Sequence, residues 1–330
     1  LSNEDVIHFG IIPRMNRGIF AINELPDLAP RIQVGLLNIL EERDIQIRGF
    51  PVRISLDLLM VFTANPEDYT NRGSIITPLK DRIASQILTH YPRKLEDARA
   101  ITNSESWHER GGDLPPVKIP DFVLDILEEI AFRGRDSEYV DQKSGVSARL
   151  PIAAKEILVS QVERRLAKDH DAAPIPRIID LAQLVPAVTG KVELVYEGEQ
   201  EGALQVARHL IGTACRTVFD RHFPDAIREG SEPKLKNDRY KPILDWFAKG
   251  NRLELSDESD DESYCKTLEG IPGLLHLAKE FLASDSRCSR ACVMELILEG
   301  LHQHSLLAKE DIARGATYSD MLGVMLKGLT

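Results

Sequence analysis

The stretch that decides the fold is Gly18–Glu24 (GIFAINE), in which a short uncharged run ends in an amide and a carboxylate. Such a run is typical of a strand that is buried on both faces. A second apolar run, Leu58–Phe62, ends in Thr63-Ala64-Asn65-Pro66. Ligands of open α/β sheets bind at the carboxyl ends of the strands. If the two strands are neighbours, Glu24 and Asn65 meet at one edge and could polarise a water beside a phosphate. Alternatively, both side chains merely cap strand ends.

The segments between and after these runs indicate further elements of an α/β fold. Pro30 opens a helix with a single apolar face. Residues 45–56 alternate apolar and polar side chains about Gly49-Phe50-Pro51, which predicts a β-hairpin. A third short strand is expected at Gln86–Thr89. The apolar face of the predicted helix carries Ile32, Leu36, Leu37 and Leu40.

Charge limits the kinds of partner. The 330 residues include 41 Lys and Arg against 52 Asp and Glu, a formal net charge of -11. A surface of this sign does not coat nucleic acid or anionic membranes as a whole. No nucleic-acid partner is therefore expected. No run of ~18 apolar residues occurs, so no membrane-spanning segment is expected either. The polar, acidic start of the chain does not resemble a signal peptide, and a cytoplasmic location is expected.

The pattern changes to helical beyond residue 102. A Gly- and Pro-containing linker over 103–120 precedes helices expected from Asp121, over about 147–167, and over 200–222, and residues 270–330 are expected to be mostly helical. The sequence therefore predicts an α/β class followed by an all-α class. We expect an α/β core over 1–102, a helical segment over 103–200 and a helical C-terminal region over 201–330.

Two local features have competing interpretations. Cys288 and Cys292 are one helical turn apart and could share a metal, but the sparse cysteines favour ordinary reduced thiols. The acidic run 256–263 could be a calcium loop, although it lacks the glycine that such loops need. A solvated loop or the start of a helix is the favoured interpretation.

Five motifs in order resemble the second half of the AAA+ ATPase core, in the group that contains MoxR and magnesium-chelatase subunit I. Ile19–Glu24 resembles the Walker B strand, Asp44–Leu56 the hairpin that precedes sensor 1, and Val61–Pro66 the sensor 1 strand. Thr77–Arg82 resembles the segment that presents the arginine finger, and Gly145–Arg149 the sensor 2 motif of the lid. The resemblance spans roughly residues 6–200. It implies a partial P-loop NTPase sheet with a pre-sensor hairpin, followed by a helical lid.

The resemblance also implies roles for individual residues, with ATP and Mg²⁺ as cofactors. Glu24 would activate the attacking water, and Asn65 would fix that water or the γ-phosphate. Arg82 would act as an arginine finger in the site of the next subunit. Arg149 would bind the γ-phosphate from the lid. Without the motifs, Arg82 is as readily a surface ion pair with Asp81, and Arg149 a salt bridge at a helix start.

Two features depart from the family pattern. The residue before the Walker B glutamate is Asn23, an amide in place of the usual acid; with Glu24 it would form a weak Mg²⁺ site. No G-x-x-x-x-G-K-[ST] phosphate loop occurs in the chain. We expect this loop to precede the sequence, so that the 330 residues alone do not bind ATP. The strand that precedes the loop would then also be absent, and Gln86–Thr89 should be displaced from the sheet or form an abnormal edge.

Three functions are compatible with these features. The resemblance implies an ATPase that remodels a partner or drives metal insertion, as a ring, expected to be a hexamer, that works with a von Willebrand factor A domain protein. Alternatively, Asn23 and the missing loop are real losses and the chain is a non-catalytic scaffold or adaptor. A transcription-activator ATPase is disfavoured because its Gly-Ala-Phe-Thr-Gly-Ala loop is absent.

Overall fold

The chain forms two compact units, residues 1–90 and 91–330, which are described separately. The computed structural model describes residues 9–46, 53–65, 74–142, 144–228, 234–235, 237–312 and 314–321. Its division of the chain differs from the expected domains. The boundary lies at His90 rather than at 102, because the helix over Leu95–Glu105 packs on helices of the second unit.

The described elements comprise helices and short strands. The helices are α1 Ile11–Arg14, α2 Pro30–Glu41, α3 Thr77–Arg82, α4 Leu95–Glu105, α5 Asp121–Asp136, α6 Arg149–Lys168, α7 Val185–Thr189, α8 Tyr196–Glu201, α9 Ala203–His222, α10 Lys241–Ala248, α11 Asp261–Glu269, α12 Leu274–Phe281 and α13 Arg287–Gln303. The strands are β1 Ile19–Ile22, β2 Asp44–Gln46, β3 Arg53–Ser55, β4 Leu59–Phe62, β5 Ile227–Arg228, β6 Lys234–Leu235, β7 Leu253–Ser256, β8 Leu307–Ile312 and β9 Gly315–Asp320. Within the described ranges, no helix is both long and apolar enough to cross a lipid bilayer.

The first unit is built on the parallel pair of β1 and β4, which confirms that the two apolar runs are neighbouring strands. Ile19 lies opposite Leu59, and Ile22 opposite Phe62. The connection between them contains α2 and the antiparallel pair β2 and β3, so the predicted helix and hairpin are also confirmed. The hairpin turn, residues 47–52, lies outside the described residues. Both strand ends therefore meet at one edge of the pair.

The expectation that these strands are buried on both faces is wrong. Side chains alternate along both strands, and only one face packs on a core, whose buried members are Leu25, Leu36, Ile39, Leu56 and Leu79. On the other face, Ile19 is 62% and Leu59 is 60% exposed. The physical reason is that the described elements cover one side of this two-stranded sheet only.

The third expected strand, Gln86–Thr89, does not form among the described residues. This segment has no regular structure, and Ile87 and Leu88 are 88% and 76% exposed. Such exposure is unusual for large apolar side chains in consecutive positions. It agrees with the expectation that this strand is displaced from the sheet.

Helix α2 presents most of the expected face to the core, and only its first turn differs. Leu36 and Ile39 are buried, but Ile32 is 48% exposed and the fully buried residue of the first turn is Gln33. The Gln33 amide donates to the carbonyls of Leu28 and Ser74 and accepts from the amide of Ile76. A polar side chain occupies this core position because it holds the backbone of the segment that directly precedes α3.

The second unit has one large core, formed mainly by α5, α9 and α13. The helices expected from Asp121, over about 147–167 and over 200–222 are confirmed as α5, α6 and α9. The core extends from Phe122 to Tyr318. Residues 103–200 and 201–330 therefore share a single core instead of forming two separate regions.

The expectation of an all-helical C-terminal region is wrong. Strands β7, β9 and β8 form a three-stranded antiparallel sheet in that order. Its inward positions include Leu255, Ala316 and Tyr318. Gly315 allows the close approach of two strands, since a Cβ atom there would lie 2.1 Å from the carbonyl oxygen of Leu255. The alternation of apolar and polar residues in these strands is short and interrupted by charged residues, so the sequence did not predict them.

Two buried carboxylates of α13 hold the helices and this sheet together. Glu295 accepts hydrogen bonds from the Tyr264 hydroxyl at 2.6 Å and the Ile178 amide at 2.9 Å. Glu299 accepts from Lys309 Nζ at 2.9 Å and the Tyr318 hydroxyl at 2.8 Å. Burial and the charge of Asp180, opposed by the Tyr264 hydrogen bond, raise the pKa of Glu295 to about 7. Burial acts in the same direction on Glu299, but Lys309 and His302 lower its pKa to about 2.

We predict that Glu295 makes the second unit less stable as pH rises from 4.5 to 7. Its pKa is raised in the folded state, so the stabilising neutral form is complete below the unfolded pKa and is lost as pH passes the folded pKa. From pH 5 to pH 8, the free energy of unfolding of Glu295→Gln should rise by roughly 2–3 kcal/mol relative to that of the unmodified chain. Urea unfolding at both pH values measures this, with the exposed Glu310→Gln as the control. Parallel pH profiles for the unmodified chain and Glu295→Gln would contradict the prediction.

Candidate functional site

Thr63 joins the ends of the two parallel strands. Its hydroxyl donates a hydrogen bond to the Asn23 side-chain oxygen and accepts one from the Glu24 amide at 3.1 Å. The Thr63 backbone amide donates to Ile22 at 3.0 Å, and its carbonyl accepts from Leu25 at 2.9 Å. A single residue of β4's C-terminal extension therefore fixes the backbone on both sides of Glu24.

Glu24 adopts a left-handed conformation, with φ of 52° and ψ of 56°. A residue with a Cβ atom seldom adopts this region, and doing so costs roughly 1–2 kcal/mol. The hydrogen bonds of Thr63 and a turn over Leu25–Asp27 maintain it. Non-glycine residues held in this region cluster at functional sites. The Glu24 side chain is exposed at the strand edge and, within the described ranges, has no hydrogen-bond or ion-pair partner.

Asn65 follows β4 by three residues and is exposed at the same edge. The structure therefore brings Asn23, Glu24, Thr63 and Asn65 to the carboxyl ends of adjacent parallel strands, as the sequence predicted for Glu24 and Asn65. This edge therefore carries both a carboxylate and a side-chain amide. Pro66, the last residue of the resembling motif, lies outside the described residues.

Arg82 ends α3 and forms an ion pair with Glu41, the last residue of α2. Its Nε donates to Glu41 Oε2 at 2.7 Å, and a terminal nitrogen contacts the same oxygen at 2.5 Å. Another terminal nitrogen donates to the Pro78 carbonyl at 2.9 Å. The interpretation of Arg82 as a surface ion pair is thus met, with Glu41 instead of Asp81 as the partner. The pair is accessible to solvent, with 30% and 56% of the two side chains exposed.

Arg149 belongs to the second unit and is the first residue of α6. Its backbone amide donates to the Ser147 hydroxyl at 3.2 Å, which fixes the start of the helix. The side chain is exposed. This geometry is compatible with an anion-binding arginine at a helix start, and its expected role as sensor 2 stays a prediction.

The predicted metal ligands, Asn23 and Glu24, provide one carboxylate only. The Asn23 oxygen already accepts the Thr63 hydroxyl. Among the described residues, no group of three or more His, Cys, Asp or Glu side chains could hold a metal ion. Neither the Cys288–Cys292 spacing nor the acidic run 256–263 therefore forms a metal centre within the part of the chain that is described.

The acidic run begins a helix, as expected, and its charges are paired. Asp260 caps α11 by accepting the Ser263 amide at 2.8 Å. Lys168 contacts Glu258, and Arg177 contacts Asp261, each at 2.9 Å. The pairs line a cleft of about 130 Å³. The run is therefore the start of a helix, with exposed carboxylates, of which Glu258 pairs with a basic side chain.

Sequence reasoning missed Thr63, Gln33 and Glu41. Thr63 is the first residue after the second apolar run, and its hydroxyl at a strand end was a usable signal. Gln33 interrupts an apolar helix face, a pattern that indicates a buried hydrogen-bonding role when it is noticed. Nothing in the sequence pairs Glu41 with Arg82, since 41 residues separate the two.

Comparisons with known proteins find distant structural similarity. No family model matches the chain, and no curated protein matches it. Among solved structures, it is similar to a candidate ATPase from Cytophaga hutchinsonii at 17% sequence identity. The match covers 58% of this chain and 64% of that chain, with a TM-score of 0.24. This TM-score is too low to establish a shared fold.

Proposed function

We propose that this chain is part of an AAA+ ATPase subunit of the MoxR and magnesium-chelatase subunit I type. In this proposal, ATP hydrolysis drives the remodelling of a partner protein or the insertion of a metal. The observation that carries it is the common end of β1 and β4, where Thr63 fixes Asn23 and Glu24 at the strand edge that Asn65 also follows. A hairpin inserted between two parallel strands supports the same assignment, because the resembling ATPases have one before sensor 1.

At this edge, the proposed work of the chain is to position a water and accept its proton. The Glu24 carboxylate is the acceptor, because it is exposed and held in one backbone conformation. Asn65 would orient the same water through its amide. When bound, Mg²⁺–ATP would supply the phosphoryl group. By resemblance, Arg149 is proposed to bind the γ-phosphate.

The residues present fit only part of a nucleotide site. Glu24 and Asn65 suit the water-activating side, whereas the Asn23 oxygen is engaged by Thr63 and is a poor magnesium ligand. The sequence contains no G-x-x-x-x-G-K-[ST] motif, whose backbone amides hold the phosphates in P-loop proteins. The proposal therefore requires a phosphate-binding loop outside these 330 residues.

The remaining parts of the proposal concern assembly. A homo-oligomeric ring, a hexamer by resemblance, would place Arg82 in the site of the neighbouring subunit. A von Willebrand factor A domain protein is the proposed partner, and the cytoplasm the proposed location. Arg82 would first have to leave Glu41. Exposed ion pairs contribute only ~0–1 kcal/mol, so breaking the pair of Arg82 and Glu41 requires little free energy.

The alternative is a non-catalytic scaffold derived from the same fold. Two contacts favour it: Thr63 engages Asn23, and Arg82 is neutralised within its own subunit. In a scaffold, both would be permanent structural contacts. The two functions differ in whether Arg82 contributes to activity in a second subunit.

A mixing experiment separates these functions. In the protein that joins this chain to its phosphate-binding loop, we expect subunits with Arg82→Ala and subunits with Glu24→Gln to be individually inactive as ATPases. Mixed rings should regain part of the activity, because some interfaces then combine an intact Glu24 with an intact Arg82. Phosphate release from the mixture, with assembly checked by sedimentation, measures the effect.

The matched control is Lys80→Ala, which removes a neighbouring exposed cation of the same helix. It should leave ATP turnover nearly unchanged. An arginine finger raises the rate ~10³–10⁵-fold, whereas a cation that does not reach the phosphate has no such effect. Mixed rings that assemble fully and regain no activity would argue against action across an interface.

A further inference from the structure

Two cysteines that are distant in sequence lie side by side in the second unit. Cys265 is on α11, and Cys288 is in the first turn of α13. Their sulfur atoms are 3.8 Å apart and hydrogen-bonded, and both thiols are free. The sequence pointed instead to Cys288 and Cys292, which share one helix. Tertiary packing thus creates a thiol pair that spacing did not indicate.

The contacts around the pair hold α11 against α13. Two nitrogens of the Arg287 guanidinium donate hydrogen bonds to the two carboxylate oxygens of Glu269, at 2.9 and 2.7 Å. Ser286 caps α13 by accepting the Ser289 amide at 3.0 Å. The sulfur atoms are therefore held near each other before any bond forms, and a disulfide requires them to approach by less than 2 Å.

The two thiols differ in access. Cys265 is fully buried, whereas Cys288 is partly exposed. Their hydrogen bond and, against the effect of burial, the positive charge of Arg287 lower the pKa of Cys265. The pair therefore loses a proton more easily than an isolated buried thiol. The same hydrogen bond and burial raise the pKa of Cys288. The anionic pair therefore keeps its proton on Cys288, the sulfur that solvent reaches, and Cys265 can accept that proton when Cys288 reacts.

We propose that Cys265 and Cys288 form a redox-active thiol pair that closes to an intrachain disulfide when the protein meets a peroxide. As the Cys288 proton passes to the Cys265 thiolate, the Cys288 sulfur attacks one peroxide oxygen, which yields a Cys288 sulfenic acid and hydroxide. The Cys265 sulfur then attacks the Cys288 sulfur, the S–S bond forms, and the hydroxyl group leaves as water with the Cys265 proton. In sum, two thiols lose two electrons and two protons, and one hydrogen peroxide becomes two waters.

Contacts within the structure favour a disulfide over a shared metal. A thiolate-bound zinc ion takes four ligands as a rule. The described residues offer no cluster of three or more metal-binding side chains at this pair or elsewhere within their ranges. The remaining cysteines, Cys215 and Cys292, are buried, and both thiols are free. Oxidation should therefore be selective for one pair.

Trypsin places each cysteine in a different peptide, which makes the test direct. Cys265 falls in residues 253–266, Cys288 in 288–290, Cys215 in 209–216 and Cys292 in 291–309. The folded chain is treated with hydrogen peroxide, its remaining thiols are alkylated, and the digest is analysed by mass spectrometry. We expect a cross-linked peptide of 253–266 and 288–290, loss of two of the four thiols, and reversal by dithiothreitol.

Two controls keep the result specific. Cys288→Ser should abolish the cross-linked peptide, whereas Cys292→Ala, one turn further along the same helix, should retain it. An equal mixture of ¹⁴N- and ¹⁵N-labelled chains should give no mixed-label cross-link, because the bond is intrachain. The unmodified chain alone decides the outcome if a variant fails to fold.

Several results would overturn the proposal, which does not depend on ATPase activity. They are four intact thiols after treatment, a cross-link to Cys215 or Cys292, and a predominance of mixed-label cross-links. A stoichiometric zinc ion on the reduced, unmodified chain that is lost in Cys265→Ser would also overturn it.

Discussion

Replacing Glu24 by glutamine is expected to lower ATP turnover at least ~10²-fold while nucleotide binding is retained. The measurement is made on a protein that combines this chain with a phosphate-binding loop. Glutamine keeps the size and a hydrogen-bonding oxygen of the side chain, so the left-handed turn and the Thr63 contacts of the backbone are preserved. What it removes is the ability to accept a proton from the attacking water. Phosphate release and nucleotide titration report the two properties separately.

Asp27→Asn is the matched control for this prediction. Asp27 is an exposed carboxylate three residues further along, in the turn that follows Glu24. Its neutralisation changes the local charge by the same amount and should alter turnover less than ~3-fold. Near-normal turnover in Glu24→Gln would refute the assignment of Glu24, whereas equal losses in both variants would indicate a general electrostatic effect.

Replacing Lys309 by methionine is expected to destabilise the second unit by about 3–5 kcal/mol at neutral pH. Lys309 Nζ lies 2.9 Å from Glu299, whose side chain is 5% exposed. Methionine retains the apolar stem of lysine and removes its charge. Glu299 would then be a buried carboxylate whose remaining hydrogen-bond donors, Tyr318 and Gln303, are neutral. Urea-induced unfolding followed by circular dichroism measures the loss.

Two comparisons test the cause of that loss. Arg208→Met breaks the exposed pair of Arg208 and Asp311, which are 3.7 Å apart, and should cost less than ~1 kcal/mol. The double variant Lys309→Met and Glu299→Gln should recover part of the stability, because no uncompensated charge is left in the core. A loss for Lys309→Met as small as that for Arg208→Met would contradict the view that this buried pair supports the fold.

The elements near the candidate site could be predicted from the sequence because their signals are local. Two apolar runs that end in polar residues specify β1 and β4, and alternation specifies the hairpin. Helices α5, α6 and α9 follow from apolar residues that recur at helical spacing. These patterns placed Glu24 and Asn65 at one edge before any contact was known.

The features that escaped prediction depend on contacts between distant segments. The exposed faces of β1 and β4 reflect which elements cover the sheet, and no strand carries that information itself. Glu295 and Glu299 interrupt the apolar pattern of α13 and are tolerated only because Tyr264, Tyr318 and Lys309 reach them. The same holds for the thiol pair, whose members are brought together by the packing of α11 on α13.

The most direct test of the central claim is a titration with a fluorescent ATP analogue. The claim is that the edge of β1 and β4 is the water-activating half of an ATP site whose phosphate loop lies outside these 330 residues. We predict saturable micromolar binding for a protein that joins the chain to its phosphate-binding loop, and no measurable binding for the 330 residues alone. Saturable binding by the 330 residues alone, or none by the longer protein, would contradict the account.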